Sequence, residues 1–245
     1  MKQKSNKTIV LECYRKIIRD LDLSQVEKYI KEDYIQHSPT VKSGQAGILE
    51  MLQFLKTLPK PAIASPSPII RVIAEGDFVA VHLDLTFMKQ RMAVIDLYRL
   101  EDGMLAEHWD AGQIQPEYID AGITMTNSVT VIEDSADHLK NKKIISDLYS
   151  GFLKNSDSAG AKKWLTPGFI EHNLNSPLLN DFGEEIIIHK IIAEGNFVVT
   201  HCELKRAVKT YSQFNIFKME DDLIAEHWNV EQEVPITMAH ENGMF

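Results

Sequence analysis

The sequence predicts an α+β protein built as two tandem copies of one domain, each with N-terminal helices packed on a curved antiparallel sheet, the second copy lacking one helix. Three observations predict this. Sliding the chain by 135 positions superposes Thr8–His37 on Lys143–His172 without a gap, placing Tyr14 on Tyr149 and Tyr29 on Trp164. From Arg71 onward the offset is 119: RVIAEGDFVAVH (Arg71–His82) matches KIIAEGNFVVTH (Lys190–His201), and DLYRLEDGMLAEHWD (Asp96–Asp110) matches NIFKMEDDLIAEHWN (Asn215–Asn229), with 13 identities in 27 positions. Within each copy, apolar residues recur first at helical spacing and then alternate with period two, the order of an α+β domain. A repeat of this length marks duplicated domains rather than a solenoid. The expected domains are 1–126 and 143–245, joined by a linker at 127–142.

Ile9, Val10, Cys13, Tyr14, Ile17, Ile18 and Leu21 form the apolar stripe of a first helix. Ser24 and Glu27 read as a capping box opening a second, with Val26, Tyr29 and Ile30 inward. Tyr34–His37 then leaves as an extended segment. A third helix, about Gln45 to Leu58, aligns Ile48, Met51, Leu52, Leu55 and Leu58 before Pro59, Pro61, Pro66 and Pro68 forbid its continuation. Ile69–Ile73, Phe78–Thr86, Met92–Leu100 and Met104–Gln113 alternate as the strands of a meander. Between the last two, Glu101-Asp102-Gly103 suits a three-residue loop that pairs Leu100 with Met104. That register sets Asp96 opposite His108, Val94 opposite Asp110 and Tyr98 opposite Ala106. Asp96, His108 and Asp110 then share one face, a grouping that a two-residue loop would break. The second copy lacks 16 residues after His172, which removes the third helix.

Composition excludes several functions. With 245 residues, 44% apolar and 25% charged, the chain can build a core, and a net charge of −9 offers no footprint for nucleic acid or anionic lipid. No signal core or membrane-length apolar run is present, so a cytoplasmic location is expected. Cys13 and Cys202 each align with leucine and are expected as buried thiols. With no glycine fingerprint after a strand and no nucleophile elbow, no cofactor is expected, and redox, kinase and serine-hydrolase chemistry are set aside.

The element order, together with YIQHSP (Tyr34–Pro39), RVIAEGDFVAVH and DLYRLEDGMLAEHWDAGQ, resembles the SnoaL-like branch of the NTF2-like superfamily, whose members are cystatin-type α+β cones. The tail Asn242-Gly243-Met244-Phe245 resembles the end of single-domain members described as aldol-condensation or polyketide-cyclase proteins. The resemblance implies a ligand pocket inside the cone. In the family's cyclases an aspartate near the end of the last long strand is the acid/base, with a histidine one hairpin earlier. Asp110 matches that aspartate, whereas Asp96 stands at the histidine's position. Against ketosteroid isomerases, the base position falls near His37, where those have Asp.

The expected catalytic set is therefore Asp110 and Asp96, assisted by His108 and by His82, which is placed on the same face, with His37, Asp84 and Tyr98 touching the ligand. A carboxylate in an apolar cavity has its pKa raised, and beside an imidazole it can remove a proton α to a carbonyl. The implied reaction is cofactor-free cyclase, aldol or isomerase-like chemistry on a small, largely apolar carbonyl compound. A non-catalytic ligand-binding or protein-interaction module is the alternative, since this fold hosts many functions. Equally, the Glu107-His108-Trp109 context kept as Glu226-His227-Trp228 fits a fold-level hydrogen bond, with both tryptophans as core anchors. His82, Asp84, Asp96 and His108 have metal-ligand chemistry but no metal signature, so no metal is expected. In the second copy His172, His201 and His227 persist and Glu203 replaces Asp84, but Asn215, Asn229 and Phe217 replace Asp96, Asp110 and Tyr98. That copy is expected to be architectural, its cavity open, shrunken or filled. NTF2-like domains commonly pair through their sheets, which implies an intramolecular pseudo-dimer and leaves a homodimer open.

Overall fold

A computed structural model of the chain describes residues 4–59, 67–116, 122–151, 160, 162–181 and 184–245. Helix α1 (Asn6–Cys13) is opened by Ser5, whose hydroxyl accepts the Thr8 N–H, and runs on as a π-helical stretch, Tyr14–Arg19. Its apolar stripe enters the core at Ile9, Val10, Cys13, Tyr14 and Ile17. A 3₁₀ turn, Leu23–Gln25, leads into the short helix α2 (Val26–Tyr29). The Ser24–Glu27 capping box does not form there: the Asp22 carboxylate accepts from both the Ser24 N–H and its hydroxyl and caps the turn earlier. The extended segment is a full strand, β1 (Ile30–Gln36), and helix α3 (Gly44–Thr57) ends as the chain becomes extended at Leu58, ahead of Pro59. Pro61 and Pro66 lie outside the described residues.

Four strands follow: β2 (Ile69–Glu75), β3 (Phe78–Phe87), β4 (Gln90–Glu101) and β5 (Met104–Ile114). They form an antiparallel meander, and β1 returns parallel to β5 at the edge, giving the order β1-β5-β4-β3-β2. The second copy repeats this with helix α4 (His138–Gly151) and strands β6 (Leu165–Glu171), β7 (Glu185–Glu194), β8 (Phe197–Arg206), β9 (Lys209–Glu220) and β10 (Leu223–Glu233), in the order β6-β10-β9-β8-β7. Helix α4 starts inside the 127–142 segment read as linker, because Asp137 caps it through its side chain to the Lys140 N–H. In place of a third helix the second copy has a 3₁₀ turn, Leu178–Asp181, with Leu178 in its helix-side core.

Each sheet therefore has two buried faces. Val79, Val81, Leu83, Val94 and Tyr98 meet the helices of the first copy. The opposite face, with Ile95, Leu97, Trp109 and Ala111, packs on Phe197, Val199, Phe214, Ile216 and Trp228 of the second sheet. Symmetry-related polar contacts frame this shared core. The Lys190 ammonium lies 4.0 Å over the Trp109 ring, and the Arg71 guanidinium 4.0 Å over Trp228. Glu75 accepts the Ala193 N–H and pairs with Lys142, while Glu194 accepts the Ala74 N–H and pairs with Lys7. Gly195, at φ +55°, leaves room for the connecting segment, since a Cβ there would stand 2.6 Å from the Glu133 carbonyl oxygen. Among the described residues no helix is long and apolar enough to cross a membrane.

Candidate active site

The site forms where β4 and β5 run side by side. Their hairpin is tighter than the sequence suggests: Glu101 pairs with Met104 across a two-residue turn, Asp102-Gly103, with φ of +54° and +75°. Two successive left-handed residues are the type I′ geometry that follows the twist of the strands. Alone, that turn would bring Asp96 opposite Trp109. A bulge prevents it: Leu100 pairs with Leu105 and Arg99 with Glu107, leaving Ala106 unpaired. Asp96 thus lies opposite Asp110, Tyr98 opposite His108 and Val94 opposite Gly112. The expected partners are wrong, yet the expected face survives, because the turn and the bulge each shift the register by one residue and a shift of two restores the alternation.

On that face the acceptor and donor atoms of Asp96, His108 and Asp110 lie within 4.8 Å of one another. Asp96 is 6% and His108 7% exposed. The Tyr98 ring stacks on His108 at 4.5 Å and donates its hydroxyl to that of Tyr14 at 3.2 Å, and Tyr14 in turn donates to Asp96 Oδ2. Gln36 fixes the other side of the imidazole. Its Oε1 accepts the backbone N–H groups of His37 (3.0 Å) and Ser38 (2.9 Å), so the amide cannot flip, and the 2.8 Å contact from His108 Nδ1 must be a donated proton. His108 Nε2 then faces Asp96 Oδ1 at 3.2 Å, a hydrogen bond that the imidazolium donates.

Burial opposes the imidazolium, but the Asp96 hydrogen bond and the charges of Asp96 and Asp110 outweigh it and hold His108 above the ordinary imidazole value. Burial pushes the Asp110 carboxyl upward, reinforced by Asp96 and opposed by His108 and the Ser38 hydroxyl. Ser38 Oγ donates to Asp110 Oδ2 at 3.1 Å, whereas Asp110 Oδ1 is buried without a partner. Asp96, His108 and Asp110 also make up the one metal-capable grouping among the described residues, but all their facing atoms except Asp110 Oδ1 are already engaged in hydrogen bonds.

Three expected site residues stand elsewhere. His82 and Asp84 pair with Ile95 and Ala93, and so lie on the face turned to the second sheet, not with Asp96. The alternation of β3 is as expected, but its register against β4 puts Val81 opposite Asp96. His82 accepts from Arg71 at 3.1 Å, and burial with that guanidinium drives its pKa well below the usual value. Asp84 is held down by its fork with Arg91 and ties Gln115 and Thr126 to the sheet. His37 stacks on Trp109 at 4.8 Å and bonds Glu107 at 3.0 Å, beside the shared core rather than in the Asp96–His108–Asp110 cluster. A metal grouping of His82, Asp84, Asp96 and His108 is excluded by the same register. Tyr14, Gln36 and Ser38 were not singled out in the sequence. The Gln36–Glu171 mismatch, between the matching Ile35/Ile170 and His37/His172, was the available signal.

The second copy inverts the arrangement. There His227 Nδ1 donates to the Glu171 carboxylate, at Gln36's position, and Nε2 faces Asn215 Oδ1 at 3.0 Å, at Asp96's position. Acid and amide have exchanged sides of the histidine. The Asn229 amide donates to the Ser176 carbonyl at 2.8 Å, and Asp181 from the 3₁₀ turn accepts from Gln213 at 2.9 Å and Arg206 at 3.0 Å. The second interior is thus filled by its own chain. His172 keeps the stack on Trp228 (4.4 Å) and the bond to Glu226 (2.9 Å), which marks the His37–Trp109–Glu107 set as architectural.

Residues 11–108 match the SnoaL-like domain family. Similar solved structures include wild-type IdmH of Streptomyces antibioticus, titled a candidate polyketide cyclase, at 17% identity over 45% of this chain and 93% of its own, with a TM-score of 0.36. A candidate polyketide cyclase of Acidithiobacillus ferrooxidans has 18% identity, coverage of 46% and 92%, and a TM-score of 0.35. A candidate ketosteroid isomerase of Kribbella flavida has 9% identity, coverage of 41% and 83%, and a TM-score of 0.35. The comparison with curated proteins found no match.

Proposed function

With residues 11–108 forming a SnoaL-like domain, we propose that the first copy binds a small, largely apolar carbonyl compound and carries out cofactor-free acid–base chemistry on it. The observation that carries this reading is Asp110: a carboxylate oxygen buried without a partner, in a carboxyl raised by burial, beside a second aspartate and a histidine of fixed tautomer. Such a group accepts a proton from the carbon α to a carbonyl. As negative charge moves to the substrate oxygen, Tyr98, whose hydroxyl donates at 3.2 Å to Tyr14 in the resting site, redirects that proton to it. Reprotonation from Asp110 at the same or another carbon closes an isomerisation, whereas attack of the enolate carbon on a second carbonyl of the substrate closes a ring, the new alkoxide taking the proton that Asp110 removed.

The test is hydrogen–deuterium exchange at the α-carbon of 2-tetralone in D₂O, followed by NMR. The chain should accelerate exchange above buffer, and Asp110→Asn, which copies the second repeat's Asn229, should lower that rate by about 10²–10⁴-fold. An Asp110→Asn rate equal to wild type removes Asp110 as the base, and no exchange above buffer rejects the carbonyl reading.

A further inference from the structure

The last residues of the chain leave the second sheet and return to the first repeat. The Ala239 N–H donates to the Pro39 carbonyl at 2.8 Å, His240 Nε2–H to the Ser38 carbonyl at 2.9 Å, and the Asn242 amide to the Gln36 carbonyl at 2.9 Å; His37 Nδ1–H donates to the Gly243 carbonyl at 2.9 Å. Every residue from Gln36 to Pro39 is held by this tail. The same turn supplies both supports of the acid–base cluster, Gln36 Oε1 to His108 and Ser38 Oγ to Asp110. Ser43, which precedes α3, makes no capping bond to that helix; its hydroxyl accepts the Gln36 N–H and the Asn242 amide. Buried Met244 and Phe245, stacked on His189 at 4.7 Å, pin the end of the tail to the second repeat.

The equivalent segment of the first repeat separates what is general from what is particular. Thr124, in Gly243's place, accepts from His172 Nδ1 at 2.9 Å, so the backbone strap belongs to the fold. Asn242 and His240, however, align with Ile123 and Ala121. At these two positions the side chain is polar only on the tail that serves the copy retaining Asp96 and Asp110.

We infer that Asn242 and His240 are positioning residues for the Asp96–His108–Asp110 cluster, so that the second repeat contributes directly to the first repeat's site. This rests on the reading of that cluster as the working site. The groups facing Asp110 are Asp96 from β4, His108 from β5, the Ser38 hydroxyl from the turn and His240 from the tail.

The experiment is an NMR titration of the His108 ring and the Asp110 carboxylate in the full chain, comparing wild type, Asn242→Ala/His240→Ala and His240→Gln. Because the Ser38 hydroxyl lowers Asp110, loosening the turn that carries it should raise the Asp110 midpoint in the double variant. The double variant should also move His108, whereas His240→Gln, which keeps a donor for Ser38 and should stay folded, leaves both midpoints near wild type. Unmoved midpoints in the folded double variant overturn the inference, as do midpoints in His240→Gln that move as far as in the double variant; if the double variant unfolds, unmoved midpoints in the single variant Asn242→Ala do so alone. The 2-tetralone assay on Asp110→Asn keeps the two readings apart. Shifted midpoints with no exchange activity retain the strap and reject the reaction, and the converse rejects the strap.

Discussion

Gln36 decides the protonation of a residue it does not resemble. With two backbone N–H groups already on its Oε1, it can only accept from His108, which turns the other ring nitrogen toward Asp96. Replacing it by the acid found at the same place in the second repeat, Gln36→Glu, should raise the His108 midpoint by about one unit or more, because an opposite charge beside the ring favours the imidazolium. Proton exchange catalysed by Asp110 should fall as that positive charge becomes permanent. Ring titration by NMR checks the first effect, and an unchanged midpoint would show that the neighbouring charge is not felt. This residue was readable in the sequence only as a mismatch, since its role depends on a backbone turn that no periodicity announces. Asp96, Asp110, His108 and Tyr98 were legible because alternation fixes the face of a strand residue from its neighbours alone. His82 and Asp84 were not, because which faces of two strands coincide is set by register, which depends on turns and bulges distant from either residue.

Among the elements, the 3₁₀ turn Leu178–Asp181 gives the clearest pH signature. Burial pushes the Asp181 carboxyl up to about 6 despite Gln213 and Arg206, and the side chain is 1% exposed. A carboxyl raised in the folded state holds a proton that the unfolded chain has released, so its contribution falls as pH rises from its ordinary value toward about 6. Melting temperatures measured across that interval should fall less steeply for Asp181→Asn than for wild type. Parallel curves would mean that Asp181 titrates normally. The loss of α3 from the second copy follows from a length difference visible in the sequence, but the turn that fills its place does not. Helices α1 and α3 and the four meander strands were legible from apolar spacing. The parallel return of β1 was not, because a short extended segment does not reveal its partner.

At the scale of the whole molecule, the two copies share a core and should fold as one unit. Phe214, fully buried and stacked on His201 at 4.1 Å, belongs to the layer between the sheets. Phe214→Ala should cost about 3–5 kcal/mol and shift a single calorimetric transition. Two transitions, one of them at the wild-type temperature, would mean that the copies unfold independently. The exchange of acid and amide about the two buried histidines has a further consequence, for what mutation can undo. Each histidine is hydrogen-bonded by one carboxylate, but the first copy also sets Asp110 beside His108 where the second has Asn229, so the first carries one more acid at this spot. Asn215→Asp alone would leave two carboxylates on His227 with no added cation, at a cost of several kcal/mol. The path back from the second copy to the first therefore needs paired changes at 171 and 215 besides Asn229→Asp, and a lineage accumulating one substitution at a time meets a barrier between the two arrangements.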